Sequence, residues 1–247
     1  MAPKIINDEQ YKFWNEGIGK KWVKEDESMN ERFTFLTKDF FSKVNINKDE
    51  RILDIGCGGG ITSFEASMLV GENGHVIGAD ISEILLDLAK KNYSNIKNLE
   101  FKYCDVQNYE FEKNSFSKVI SRFGVMFFED PIEAFKNINH SIQDGGSLHF
   151  VCWTNVMENE FFTVAADIII KHLNKGFPEV SRAPGPFAFS EEGYVKEILK
   201  ASGFKNVKVD KVYSLITTND SAVKDGNLLF NIGLAGRLLS EENISEE

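Results

Sequence analysis

Residues 52–60 read ILDIGCGGG, a short apolar run that passes straight into a glycine-rich turn. The run has strand composition, and glycines at 56, 58 and 60 free the backbone to turn tightly and to approach a ligand. Outward from this stretch the chain alternates. Strand-like runs RILDI (51–55), HVIGAD (75–80), LEFKYC (99–104), KVIS (118–121), SLHFVCW (147–153) and KNVKVDKVYSL (205–215) are separated by segments of helical pattern. Such alternation predicts an α/β fold, a doubly wound and mostly parallel sheet with helices on both faces.

The helical segments carry their own boundary signals. Ser28 and Glu31 have capping-box spacing, and Met29, Phe33, Leu36, Phe40 and Val44 follow at helical intervals, which predicts a helix from Ser28 to about Val44. Ser82 stands before Ile84, Leu85 and Leu88. Asp130 precedes Pro131 and an apolar series that ends before Gly145–Gly146, and Ser190 precedes Tyr194, Ile198 and Leu199, closed by Gly203.

One stretch exceeds what a minimal alternating fold needs. After the fifth strand run come about forty residues with an apolar helix, Phe161 to about Leu173, and the loop RAPGPFAFS at 182–190, a length that marks a lid or substrate cap. The chain thus divides into an N-terminal aromatic segment and helix (1–50), a cofactor-binding core (51–153), a helical cap inserted after the fifth strand (154–190), and a completing helix, strand and terminal helix (191–247). After Thr218 the sequence turns helical and then acidic, with no β-rich run left. The fifth or sixth strand is therefore expected to form an irregular edge, covered by a terminal helix or by a neighbouring subunit, so an oligomer through the C-terminal sheet edge is possible.

Of the 247 residues 42% are hydrophobic and 27% charged, which suits a folded core. The balance of 28 basic against 38 acidic residues leaves a net charge of −10, which disfavours nucleic acid and anionic membrane surfaces as partners. Apolar runs fall short of a bilayer span, and MAPKIINDEQ has no apolar targeting core, so the expectation is a cytoplasmic protein without membrane insertion. Cys57, Cys104 and Cys152 are too far apart for a disulfide framework or metal knuckle. His75, His140, His149 and His172 lack ligand spacing, and no metal is expected.

The turn and the acidic residue Asp80, twenty positions after Gly60, suit a nucleotide-like cofactor whose ribose hydroxyls a carboxylate can accept. Charge separates the candidates. Asp54, two residues before Gly56, would repel a dinucleotide's pyrophosphate but attract the ammonium and sulfonium of S-adenosylmethionine. The spacing is GxGxG and not GxGxxG, which agrees.

With these motifs the sequence resembles the class I S-adenosylmethionine-dependent methyltransferases, Rossmann-like enzymes, and most closely bacterial small-molecule members of the methyltransferase-11 type. The resemblance runs from YKFWNEGIGKKWV (11–23) through ILDIGCGGG, VIGADIS, SRFGVMFFEDPIEAF and GGSLHFVCW to GPFAFSEEGYVKEILKASGF. It implies that Asp54 with the backbone of Gly56, Cys57 and Gly58 holds the methionine end. Asp80 would take the ribose, Ile81 would pack on the adenine, and Asp105 and Val106 would flank it, Asp105 through the exocyclic amine. Ser121 would offer its carbonyl to the ammonium. An aromatic segment with Tyr11, Phe13, Trp14 and Trp22 would cover the cofactor mouth, Trp22 foremost.

The acceptor is narrowed by absent motifs. No NPPY-like tetrad or Pro-Cys nucleophile is present, so a partly apolar small molecule is expected against Phe123–Phe128 and the cap, with Arg122 and Arg182 available to an anionic group. Positioning carries most of a methyl displacement, so no catalytic residue is assigned, and His140 and His149 read as structural. Two alternatives stay open at this level: a non-catalytic S-adenosylmethionine-binding protein, and a nicotinamide-dependent oxidoreductase.

Overall fold

A computed structural model describes residues 4–174, 176–177, 181–218 and 220–241. Five strands, β1 (Arg51–Ile55), β2 (His75–Asp80), β3 (Leu99–Tyr103), β4 (Phe116–Arg122) and β5 (Ile142–Val151), form one sheet in the order β3-β2-β1-β4-β5. Every pairing is parallel. The antiparallel strand allowed for by a mostly parallel sheet is not found among the described residues.

Alternation along the strands explains why both faces are covered. Ile52 of β1 and Ile120 of β4 pack with Phe40 and Val44 of α3 (Thr34–Val44) and Ala66 and Val70 of α4 (Ile61–Val70). Their neighbours Leu53 and Val119 point the other way. They pack with Phe135 and Ile138 of α6 (Pro131–Ser141) and Ile198 and Leu199 of α8 (Glu192–Ala201). Burying each such side chain is worth about 1.5–3 kcal/mol, so the two clusters fix the register of the sheet.

Local signals set most helix starts. The Ser82 hydroxyl accepts the Leu85 N–H to cap α5 (Glu83–Tyr93), and the Asp130 carboxylate accepts that of Glu133 to cap α6. Other boundaries differ from expectation. Ser28 caps nothing, because α2 (Ile18–Arg32) already runs through it and the break falls at Phe33. Ahead of α2 lie α1 (Asp8–Lys12) and a π-helical stretch, Phe13–Gly17. Gly145 and Gly146 lie inside β5, near its register shift, and Glu191 instead of Ser190 precedes α8.

The run 205–215 makes no ladder, so β5 is left as one edge strand of the described sheet, opposite β3. Alternation alone cannot supply a strand where no neighbouring ladder accepts it. Val207 and Val209 still pack on the larger core cluster. Beyond it come α9 (Ala222–Ile232) and α10 (Leu234–Glu241); α10 packs on α7 (Glu160–Leu173) through Ala166, Ile169, Ile170, Ala235 and Leu238, and α9 lies against both. The acidic end expected after Glu241 lies outside the described residues. No described helix is long and apolar enough to cross a membrane.

Candidate active site

The strand order places β1 and β4 side by side while their following segments diverge, which opens a crevice at the carboxyl ends of the strands. Two loops close on each other there. Gly56 has φ +65°, and a Cβ on it would stand 2.6 Å from Gly124 Cα, so only glycine allows this approach. The turn is tied to β2 by Gly56 and Cys57, whose N–H groups donate to the Ala79 carbonyl at 2.8 and 3.2 Å.

Asp80 ends β2 facing this turn. Its Oδ2 accepts the Gly58 N–H and its Oδ1 the Ser82 N–H, both at 2.8 Å. These bonds favour the carboxylate, while burial pushes its pKa up. Each oxygen keeps a lone pair, so a pair of ribose hydroxyls fits this acceptor.

A cavity of about 260 Å³ runs along the crevice. Gly56, Cys57, Gly58, Asp80, Ile81, Asp105, Val106 and Trp22 all line it, and the structure thus brings together eight of the ten residues singled out by sequence. Asp54 and Ser121 do not. Asp54 is fully buried behind the turn, its Oδ2 accepting the hydroxyls of Thr62 and Ser63 at 2.6 Å each, while Oδ1 has no partner among the described residues. Burial pushes its pKa up to about 6. Ser121 is buried as well, its hydroxyl donating to the Ile55 carbonyl at 2.7 Å.

Asp105 lines the cavity, but its carboxylate is already engaged. Its Oδ2 accepts the N–H groups of Ile6 and Asn7 at 3.0 and 2.9 Å, and its Oδ1 accepts Asn7 Nδ2 at 2.7 Å and Gln107 N–H at 3.1 Å. The chain's first described residues thus form a strap across the crevice. Farther along, Ser82 donates to the Trp14 carbonyl at 2.9 Å, and Asn15 bridges the Ile81 carbonyl and the Glu83 N–H. Trp14 packs edge-on to Phe127 at 5.2 Å and lies 6.0 Å from Trp22. Gln10 on the same strap lines the cavity with a buried Oε1 that has no partner among the described residues.

The opposite end of the cavity is aromatic. Phe123 stacks on Trp153 at 4.3 Å and 5°, Trp153 lies parallel to Phe161 at 6.0 Å, and Phe33 closes against all three. Phe123 has φ +67°, a strained setting for a bulky residue that costs roughly 1–2 kcal/mol and that the stacked rings hold in place. Phe127, Phe128, Phe162 and Pro186 complete the walls expected from Phe123–Phe128 and the 154–190 segment. Leu228, Leu229 and Ile232 of α9 form its roof, a role that helical periodicity alone does not reveal.

Of the two arginines considered for an anionic group, Arg122 lines the cavity, whereas Arg182 is exposed, paired with Glu191 at 2.8 Å and stacked over Tyr194. His140 is exposed on α6, and His149 sits in β5 beside Ser147, its pKa lowered by burial. Neither lines the cavity. Asp26, Met29 and Asn30 of α2 do, and sequence reasoning missed them. The signal was a carboxylate interrupting the otherwise apolar stripe Trp22–Met29–Phe33.

A methyltransferase-domain family matches residues 46–203, more than half of the chain. The chain belongs to this family. It is a class I S-adenosylmethionine-dependent methyltransferase, and the nicotinamide alternative is set aside. The methyltransferase is 25% identical over 215 residues to demethylmenaquinone methyltransferase of Staphylococcus saprophyticus, covering 83% of this chain and 82% of that one. With the enzyme of the same name from Staphylococcus aureus strain JH9 it shares 26% over 220 residues, covering 85% and 90%.

Solved structures agree in fold. A SAM-dependent methyltransferase from Aquifex aeolicus superposes with a TM-score of 0.59 at 18% identity, covering 87% of this chain and all of that one. Phosphoethanolamine N-methyltransferase 2 of Haemonchus contortus, in complex with S-adenosyl-L-methionine, gives 0.53 at 19%, covering 84% of this chain and 43% of that one. The methyltransferase's own residues fit the cofactor: a backbone cradle that a Cβ would fill, a two-oxygen acceptor at Asp80, and a buried orphan acceptor at Gln10.

Proposed function

We propose that the methyltransferase acts on a small, planar and largely apolar acceptor held between Phe123, Trp153, Phe161 and the α9 roof. One observation carries this: the aromatic chamber and the glycine turn with Asp80 are two ends of a single cavity. The cofactor, when bound, supplies an electrophilic methyl on a sulfonium. The chain's part is to hold the donor along the turn, to lay the acceptor flat against stacked rings, and to exclude water from the gap with Trp14, Trp22 and α9. Aromatic walls favour flat acceptors through ring stacking of roughly 0.5–1.5 kcal/mol per pair beyond the area buried. The relatives named for demethylmenaquinone, a quinone and hence planar in its ring, support the same class.

The test is methyl transfer from labelled S-adenosylmethionine to a panel of phenols, hydroquinones and polar amines. Turnover is expected with the planar phenolic compounds, and Trp153→Ala should raise their KM with little change in S-adenosylhomocysteine affinity. Turnover confined to polar amines would overturn the proposal.

A further inference from the structure

With Asp54 sealed behind the turn, the cavity wall has another carboxylate beside the glycine turn. Asp26 reaches down from α2 onto the glycine turn. A Cβ built on Gly59 would stand 2.3 Å from Asp26 Oδ1, and Gly59, unlike Gly56, Gly58 and Gly60, does not have a positive φ. The crowding at 59 comes from this carboxylate and not from the turn itself, so a side chain there would have to displace Asp26. Among the described residues Asp26 accepts one bond, from Asn30 Nδ2 at 3.0 Å. Asn30 Oδ1 in turn accepts Arg122 Nη2 at 2.6 Å, and Arg122 Nη1 donates to Thr37 at 2.7 Å. Asp26, Asn30 and Arg122 all line the cavity, with the neutral amide keeping the opposite charges apart.

That arrangement matches a zwitterion. An α-amino acid presents an ammonium and a carboxylate on one carbon, and its recognition calls for an acceptor-only group and a donor-only group spaced by a neutral one. The other cavity carboxylates are committed: Asp80 to the turn and the ribose position, Asp105 to the strap. Two of the five guanidinium donors of Arg122 are used in the bonds to Asn30 and Thr37, leaving others for a ligand.

We infer that Asp26 and Arg122, spaced by Asn30, clamp the ammonium and the carboxylate of the methionine end of the cofactor. The inference rests on the cofactor lying along the glycine turn with its ribose at Asp80. It replaces Asp54 as the group that meets the ammonium and turns Arg122 from an acceptor contact into a cofactor contact. Asp54 then acts from behind, bracing the start of α4 through Thr62 and Ser63.

Three ligands separate the parts, each measured by calorimetry on the intact protein. S-Adenosylhomocysteine carries both charges, decarboxylated S-adenosylmethionine lacks the carboxylate, and 5′-methylthioadenosine lacks the amino-acid end altogether. Asp26→Asn should weaken the first two by about tenfold or more and leave the third within about twofold. Arg122→Lys should weaken only S-adenosylhomocysteine, because the ammonium of lysine does not reproduce the planar fork. Unchanged binding of 5′-methylthioadenosine also shows that each variant is folded. Equal losses for all three ligands, or none, would overturn the clamp. So would an Asp26→Asn variant that binds every ligand normally but loses turnover with a displaced pH profile, since Asp26 would then serve the acceptor as a base. Failure of the unaltered protein to bind 5′-methylthioadenosine would instead contradict the placement of the cofactor along the turn.

Discussion

Asp80 does two things with one carboxylate: it ties Gly58 and Ser82 together and keeps lone pairs open to the cavity. Asp80→Ala is therefore expected to raise the Kd for S-adenosylhomocysteine by roughly 10–100-fold, the worth of one or two bonds to a charged acceptor, with the chain still folded. Calorimetry beside a thermal melt checks both halves. Asp54 is a different case, since no described group partners its Oδ1. Burial raises its pKa from an ordinary 3.8 to about 6, so between those pH values the folded chain holds a proton that the unfolded chain has released. The stability that this carboxyl contributes is fully present below pH 3.8, is lost as pH rises through about 6, and stays absent above that. Relative to Asp54→Asn, the unaltered protein should lose about 3 kcal/mol between about pH 4 and pH 7 in urea titrations. A constant difference would show that the carboxyl titrates normally in the folded chain.

At the scale of elements, the strap and the C-terminal run behave oppositely to their sequence signals. The strap has weak signals yet is bound at every step, at Asp105, Glu129, Ser82 and Glu83. Asn7→Ala removes the side-chain bonds to Asp105 and to the Glu129 N–H, and should speed release of S-adenosylhomocysteine by roughly five- to tenfold, about 1–1.5 kcal/mol. Stopped-flow displacement reads this directly, and an unchanged rate would mean that the strap does not gate the site. The run 205–215 has a strong alternating signal yet no ladder. Its amides should exchange with deuterium far faster than those of β1 and β4, where neighbouring strands hold the N–H groups on both sides. Slow exchange would show a paired strand there.

For the whole molecule, one buried cation joins the two ends of the chain. Arg32, 2% exposed at the end of α2, donates to Asp220 at 3.0 Å and to Asp225 at 2.6 Å, with Ser28 completing its shell. The capping-box serine of the sequence reading thus serves a tertiary contact nearly two hundred residues long. Arg32→Leu removes the shared cation from Asp225 in the first turn of α9 and from Asp220, which keeps Lys224, and so loosens the roof over the aromatic chamber. The expected result is a raised acceptor KM with S-adenosylhomocysteine affinity almost unchanged. Equal losses in both would mean that α9 supports the whole crevice.

What the sequence determined by itself was local or periodic. Strand alternation, the glycine turn at 56–60 and the caps at Ser82 and Asp130 depend on residues a few positions apart, and these were enough to draw the sheet and place Asp80 at its carboxyl edge. What the tertiary structure decided was which carboxylate remains available. Asp54, Asp105 and Asp26 look alike in the sequence. Asp54 is sealed by two hydroxyls of α4, Asp105 is taken by Asn7 from 98 residues away, and Asp26 is brought onto Gly59 by the packing of α2 across the turn. A buried carboxylate takes whatever donors surround it, because leaving it unpaired costs more than any local preference can offset. Those donors come from distant segments that only the folded chain brings together.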